Sequence, residues 1–184
     1  TVRGYQCAES TAADGLTADF VYVENALPVD LLNVKGKIVL VNGFLRVPLY
    51  RSLMEAGAAA VVTMDGDIHD DLENTDLHQR KLRSALRTFG NAPAVQLRTV
   101  DAMEIVNKGA SRAKVTVQNK NITLTSHNVI AEIKGTEHPE QIISFGAHYD
   151  SVEFSKGVYD NGAGSVINME AARWFVQHPP KRTE

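Results

Sequence analysis

The stretch from Ile142 to Phe175, IISFGAHYDSVEFSKGVYDNGAGSVINMEAARWF, constrains the chain more than any other. Ile142, Ile143 and Phe145 form a short apolar run that closes on Gly146 and Ala147, the pattern of a buried strand. From Ala163 the period changes. Ala163, Ile167, Ala171 and Trp174 recur at three- and four-residue spacing, and Pro179 and Pro180 end the pattern, so a helix is expected there. A strand delivered into a helix is α/β construction, and the polar residues between the two elements are His148, Asp150 and Asp160.

Those three residue types suit a metal. Residues two apart in an extended chain share a face, so the His148 imidazole and the Asp150 carboxylate can lie side by side. A metal-bound histidine usually donates its other ring N–H to a carboxylate, which fixes its tautomer. That makes His148 a candidate ligand and Asp150 its orienting, catalytically supporting partner. Asp160 precedes the helix, and Asp160 or Asn161 is expected near the N-cap, where the helix dipole favours negative charge. A carboxylate kept ionised there suits a bridge between two divalent ions about 3.5–4 Å apart. Taken singly, His-x-Asp is a common hydrogen-bonded pair and an Asp before a helix is a common cap. Together, at a strand end and the next helix start, they favour a metal site.

The first part of the chain has a different texture. Strands are expected over Asp19–Val23, Lys37–Val41, Ala58–Met64, Ala92–Leu97 (at a sheet edge, or with Pro93 at its start) and Ala113–Val117. Helices are expected from Pro48 to Gly57 and from Val100 to Gly109. Between Asp65 and Gly90 lies DGDIHDDLENTDLHQRKLRSALRTFG, acidic at first and then basic. Asp65, Asp67, His69, Asp70 and Asp71 lack the glycine and terminal glutamate of a calcium loop. A solvated loop and an amphipathic helix over about 77–86 are expected instead, with a role in covering a cleft. His78, His127, His138 and His178 have no partner pattern. After about Thr125, runs at Asn128–Lys134 and Ile142–Ala147, joined by the turn-rich Gly135–Glu140, predict an antiparallel hairpin.

Composition narrows the function classes. A formal charge of −3 and 43% hydrophobic residues describe an ordinary globular chain and give no support for nucleic-acid binding. No apolar run approaches the 18 or so residues of a transmembrane segment. Cys7 is the single cysteine, so no intrachain disulfide forms. Thr1 is not an initiator and the opening residues are polar, so a processed or excised chain is expected.

Three motifs together carry a family resemblance: Asn128–Gly135 (NVIAEIKG), Gly146–Val152 (GAHYDSV) and Asp160–Gly164 (DNGAG). The chain resembles the co-catalytic dizinc aminopeptidases, a family that includes glutamate carboxypeptidase-like metallopeptidases. The resemblance implies that His148 binds one zinc, that Asp160 bridges both, and that Asp150 supports His148. It also implies a cis peptide between Asp160 and Asn161. Gly36–Val41, Glu55–Val62, and Ala92–Leu97 followed by a helix and Gly109 resemble a protease-associated domain.

The expected architecture is mixed α/β. A protease-associated, β-sandwich-like domain with flanking helices occupies residues 1–122. The first hairpin and helix of a zinc-peptidase α/β catalytic domain occupy residues 123–184, where that domain is incomplete. A Glu-Glu pair and the remaining ligands implied by the family find no match up to Glu184. The expected function is therefore part of a secreted or periplasmic zinc exopeptidase, acting on peptide substrates with two zinc ions in the intact enzyme. The chain alone is expected to be inactive, to hold no zinc tightly, and to form homo-oligomers. Two other functions fit the same residues: a non-enzymatic protease-associated binding module, and a glutaminyl-cyclase-type enzyme with one zinc.

Overall fold

The continuous apolar run Ile38–Val41 (β3) is buried at every position, and the rest of the first unit is arranged around it. The structure, a computed structural model, describes residues 2–65, 77, 79–152 and 155–179, with the Asp65 side chain left aside. It divides into two units, Thr1–Asn121 and Ile122–Glu184.

In the first unit, β3 pairs in parallel with Leu16–Tyr22 (β2) on one side and Ala60–Asp65 (β4) on the other. Ala94–Arg98 (β5) lies parallel to β4. Val2–Gly4 (β1) and Arg112–Val115 (β6) run antiparallel at the two edges, giving the order β1-β5-β4-β3-β2-β6. Parallel neighbours need covered crossovers, and helices Val47–Glu55 (α1), Ser84–Arg87 (α2) and Thr99–Asn107 (α3) supply cover. Alternation along β3 sorts the core by face. Val39 and Val41 pack with Tyr50 and Leu53 of α1 and Leu86 of α2, while Ile38 and Leu40 pack with Ala102 of α3. The sandwich-like arrangement expected of this region is realised as one curled sheet. Thr11 N–H donates to Val117 O at 2.9 Å, and Asn119 Nδ2 donates to Tyr5 O and Ala8 O at 3.1 and 2.8 Å, so chain leaving β6 meets chain leaving β1.

Strands β2 to β6 and the helices α1 and α3 fall close to where the sequence predicts them, whereas β1 is a strand the sequence reading does not include. Pro48 sits in the first turn of α1, where its missing N–H costs nothing, and Gly57 follows the helix end at φ 80°. Pro93 precedes β5 and accepts from Val61 N–H through its carbonyl at 2.9 Å, so the strand is flanked on both sides.

The amphipathic helix over about 77–86 shrinks to the single turn of α2. The chain before it bonds to the N-terminal segment instead, with Gln6 N–H to Arg80 O at 2.9 Å and Leu82 N–H to Gln6 O at 2.8 Å, which buries Leu82 without a helix. The acidic stretch from Gly66 to Asp76, and His78, lie outside the described residues.

In the second unit the expected hairpin over Asn128–Lys134 and Ile142–Ala147 does not form, and no strand occurs among the described residues there. Val129, Ile130, Ile142 and Phe145 remain 89, 86, 71 and 63% exposed. A two-stranded ribbon with nothing packed on its apolar face has little stability of its own. The regular element that does form is the helix Ala163–Gln177 (α4), preceded by a kinked turn at Val158–Gly162. His178, before Pro179, turns out of the helix at φ −130° and ψ 71°.

Candidate metal centre

His148, Asp150 and Asp160 come together. His148 Nδ1 lies 2.8 Å from Asp150 Oδ1 and 3.1 Å from the Asp150 carbonyl oxygen. Its Nε2 lies 3.1 Å from Asp160 Oδ1. The imidazole is therefore gripped on one edge by Asp150 and presents its other nitrogen beside Asp160. Side-chain exposures of 56, 86 and 61% for His148, Asp150 and Asp160 leave the group open to water.

The backbone brings Asp160 there by leaving helical geometry early. Asp160 has φ −115° and ψ 91°, Asn161 has φ −132° and ψ 39°, and the peptide between them is cis, as the family resemblance implies. Asp160 and Asn161 stand next to the N-cap of α4, as expected; that cap is Gly162, with no side-chain cap hydrogen bond, and the Asp160 carboxylate lies beside His148. Gly157 supports the turn at φ 66°, and its carbonyl accepts from Gly162 N–H at 2.8 Å.

The electrostatics follow from the carboxylates. The Asp150 side chain, hydrogen-bonded to Nδ1–H, raises the His148 pKa above its ordinary value; the Asp150 carbonyl adds to this, and the charges of Asp150 and Asp160 add less. The slight loss of hydration opposes the rise. When protonated, the ring has a carboxylate at each nitrogen.

The donors suit a metal that takes nitrogen and oxygen. With Nδ1 committed to Asp150, Nε2 carries the free lone pair. Two ligands at about 2.0–2.2 Å on a tetrahedral zinc stand about 3.3–3.6 Å apart, a few tenths of an ångström more than the Nε2–Oδ1 separation of 3.1 Å. Asp150, at 2.8 Å from Nδ1, stands where a carboxylate orienting a metal-bound histidine would stand. Zinc requires about four donors, and no cluster of three or more His, Cys, Asp or Glu suited to a metal occurs among the described residues. His127, His138 and His178 stay apart: Tyr149 donates to the His127 carbonyl, His138 faces Glu140, and His178 stacks on Trp174 at 4.4 Å.

Sequence reasoning missed the two serines that link the segments carrying His148 and Asp160. Ser151 Oγ–H donates to Asp160 O at 2.8 Å and Ser165 Oγ–H donates to His148 O at 3.2 Å. Their only sequence signal is a hydroxyl beside each ligand segment.

Residues 128–183 match the model of Peptidase family M28. The resemblance drawn from the three motifs is thereby shown. Probable leucine aminopeptidase 2 of Aspergillus fumigatus is 27% identical over 163 residues, covering 86% of this chain and 31% of that protein. Carboxypeptidase Q of Xenopus laevis is 35% identical over 93 residues, covering 46% of this chain and 20% of that protein. The chain thus spans a third or less of these curated relatives. Among solved structures, an aminopeptidase from Aneurinibacillus sp. strain AM-1 matches with a TM-score of 0.60 and 25% identity, over 96% of this chain and 43% of that one. The fold also matches BSAP, a zinc aminopeptidase from Bacillus subtilis, with a TM-score of 0.57 and 21% identity, over 95% of this chain and 41% of that one. No helix among the described residues is long and apolar enough to cross a membrane.

Proposed function

We propose that this chain is part of a zinc-dependent exopeptidase, an aminopeptidase by preference, with residues 1–122 as a protease-associated domain and residues 123–184 as part of the catalytic domain. The observation that carries the proposal is the donor pair: His148 Nε2 beside Asp160 Oδ1 at 3.1 Å, with Nδ1 tied back to Asp150. Similarity to leucine aminopeptidases along most of the chain supports aminopeptidase over carboxypeptidase polarity. Bound zinc, two ions in the intact enzyme, would polarise the scissile carbonyl and generate a nucleophile from water at neutral pH. Within this chain, His148 and Asp160 would hold metal and Asp150 would keep the ring oriented and its Nδ1 protonated. The peptide substrate, and a secreted or periplasmic location, belong to the same proposal.

With only one such donor pair among the described residues, the chain alone should turn over no leucyl-4-nitroanilide and should release zinc on simple dialysis. A longer polypeptide that contains it, at the length of its relatives, should hydrolyse that substrate and lose at least about a thousandfold in kcat/KM, some 4 kcal/mol, on H148A or D160A. Turnover by the present chain, or full activity in those variants of the longer one, would defeat the proposal.

A further inference from the structure

We propose that Ser151 and Ser165 are positioning residues that together set the spacing of the His148–Asp160 donor pair; this rests on the metal reading above. The two ligand-bearing segments are 148–151 and 160–165. Among the described residues, the hydrogen bonds that join them besides the donor pair itself are the two serine contacts, and they run in opposite directions. Ser151, on the histidine segment, holds the backbone carbonyl of Asp160 at 2.8 Å. Ser165, in the first turn of α4, holds the backbone carbonyl of His148 at 3.2 Å. Serine hydroxyls near a helix start ordinarily bond to their own local backbone, as caps and turns do. Here they reach 9 and 17 residues along the chain instead.

Asp150 and Ser151 form a double bracket. Asp150 grips the imidazole of His148 while the next residue fixes the main chain that carries the Asp160 carboxylate. The local sequence makes room for this. A Cβ on Gly157 would stand 2.9 Å from both Cβ and Oγ of Ser151, and Gly157 has the positive φ of 66° that favours glycine. A side chain there would push the hydroxyl off Asp160. In a site as open as this one, no packed core holds the ligands, because Gly135 is the one buried residue among those described in the second unit. The lacing serines therefore carry the orientation that burial provides elsewhere.

The experiment is a Zn2+ titration of the ¹⁵N-labelled chain, following the His148 ring nitrogens and the backbone amides of α4. Outer groups that orient a ligand typically contribute 10–100-fold to metal affinity. In wild type, the Nε2 resonance should move with weak, saturable affinity. S151A should raise the apparent Kd about tenfold with the α4 amides unchanged, S165A should act in the same direction, and S165T should restore binding. If S151A disturbs the α4 amides, the S165A and S165T pair decides alone. Unchanged affinity in the serine variants, against a clear wild-type response, would overturn the positioning role and leave the metal reading standing. A wild-type His148 that ignores Zn2+ would overturn both.

Discussion

Changing Tyr50 to Phe removes one oxygen from the best-packed part of the molecule. Tyr50 is fully buried on α1 and its hydroxyl bridges the turn into β5, donating to Gly90 O at 3.1 Å and accepting from Ala92 N–H at 3.2 Å. Phenylalanine keeps the ring, so no large cavity opens. What remains is a buried Ala92 amide with its acceptor gone, which costs about 1–3 kcal/mol, while the carbonyl of exposed Gly90 can turn to water at little cost. A loss of about 2 kcal/mol at neutral pH is expected. Burial is the largest influence on the Tyr50 hydroxyl and raises its pKa; the Ala92 hydrogen bond partly offsets this and Glu9 adds to it. A raised folded-state pKa contributes stability that is complete below the unfolded value of about 10 and is lost as pH rises through the folded value. Y50F lacks that loss, so the gap between the two proteins should narrow above about pH 10. Urea unfolding followed by far-ultraviolet circular dichroism at neutral and alkaline pH measures both effects. A neutral-pH difference below about 0.5 kcal/mol, or a gap that widens in alkali, would refute the assignment of that hydroxyl as a buried bridge.

Two further outcomes concern the second unit. Replacing Asp150 with alanine removes the main cause of the raised His148 pKa, so the imidazole midpoint should fall toward about 6.5 by NMR titration; a midpoint that stays high would show that the tether is not the cause. Val166, Ile167, Met169, Trp174 and Val176 leave α4 apolar and exposed, so the chain should self-associate on concentration, and V166E/M169E should shift light-scattering mass toward monomer; a wild-type monomer at millimolar concentration would contradict this.

How much was legible in the sequence depended on whether the information was local. Ile38–Val41 is one unbroken apolar run and could be read as a buried strand without knowing its neighbours. The ends of α1 were marked by Pro48 and Gly57. The segment 77–86 misled because it was read from its own residues as an amphipathic helix, yet Gln6, more than seventy residues earlier, bonds to its backbone. No window of sequence contains that partner. The same holds for strand order, since β1 and β6 lie at opposite edges for reasons that no single segment carries.

The second unit separates the two kinds of information most sharply. Its strands failed to form and its donor pair formed anyway. A strand needs neighbours along its whole length to satisfy its amides and bury its side chains, so Ile142–Ala147 gains nothing from its own pattern alone. The donor pair needs only short reach: His148 to Asp150 across two residues, Ser151 to Asp160 across nine, and His148 to Asp160 across twelve. Loop closure over such distances is inexpensive, rising by about 0.6 kcal/mol for each doubling of length. Glycines at 157 and 162 allow the close approach, with Gly162 N–H bonded to Gly157 O at 2.8 Å. The motif is thus encoded locally and does not depend on strand pairing within the second unit. That is why three short motifs were enough to carry the resemblance to Peptidase family M28 although the hairpin expected in this unit does not form.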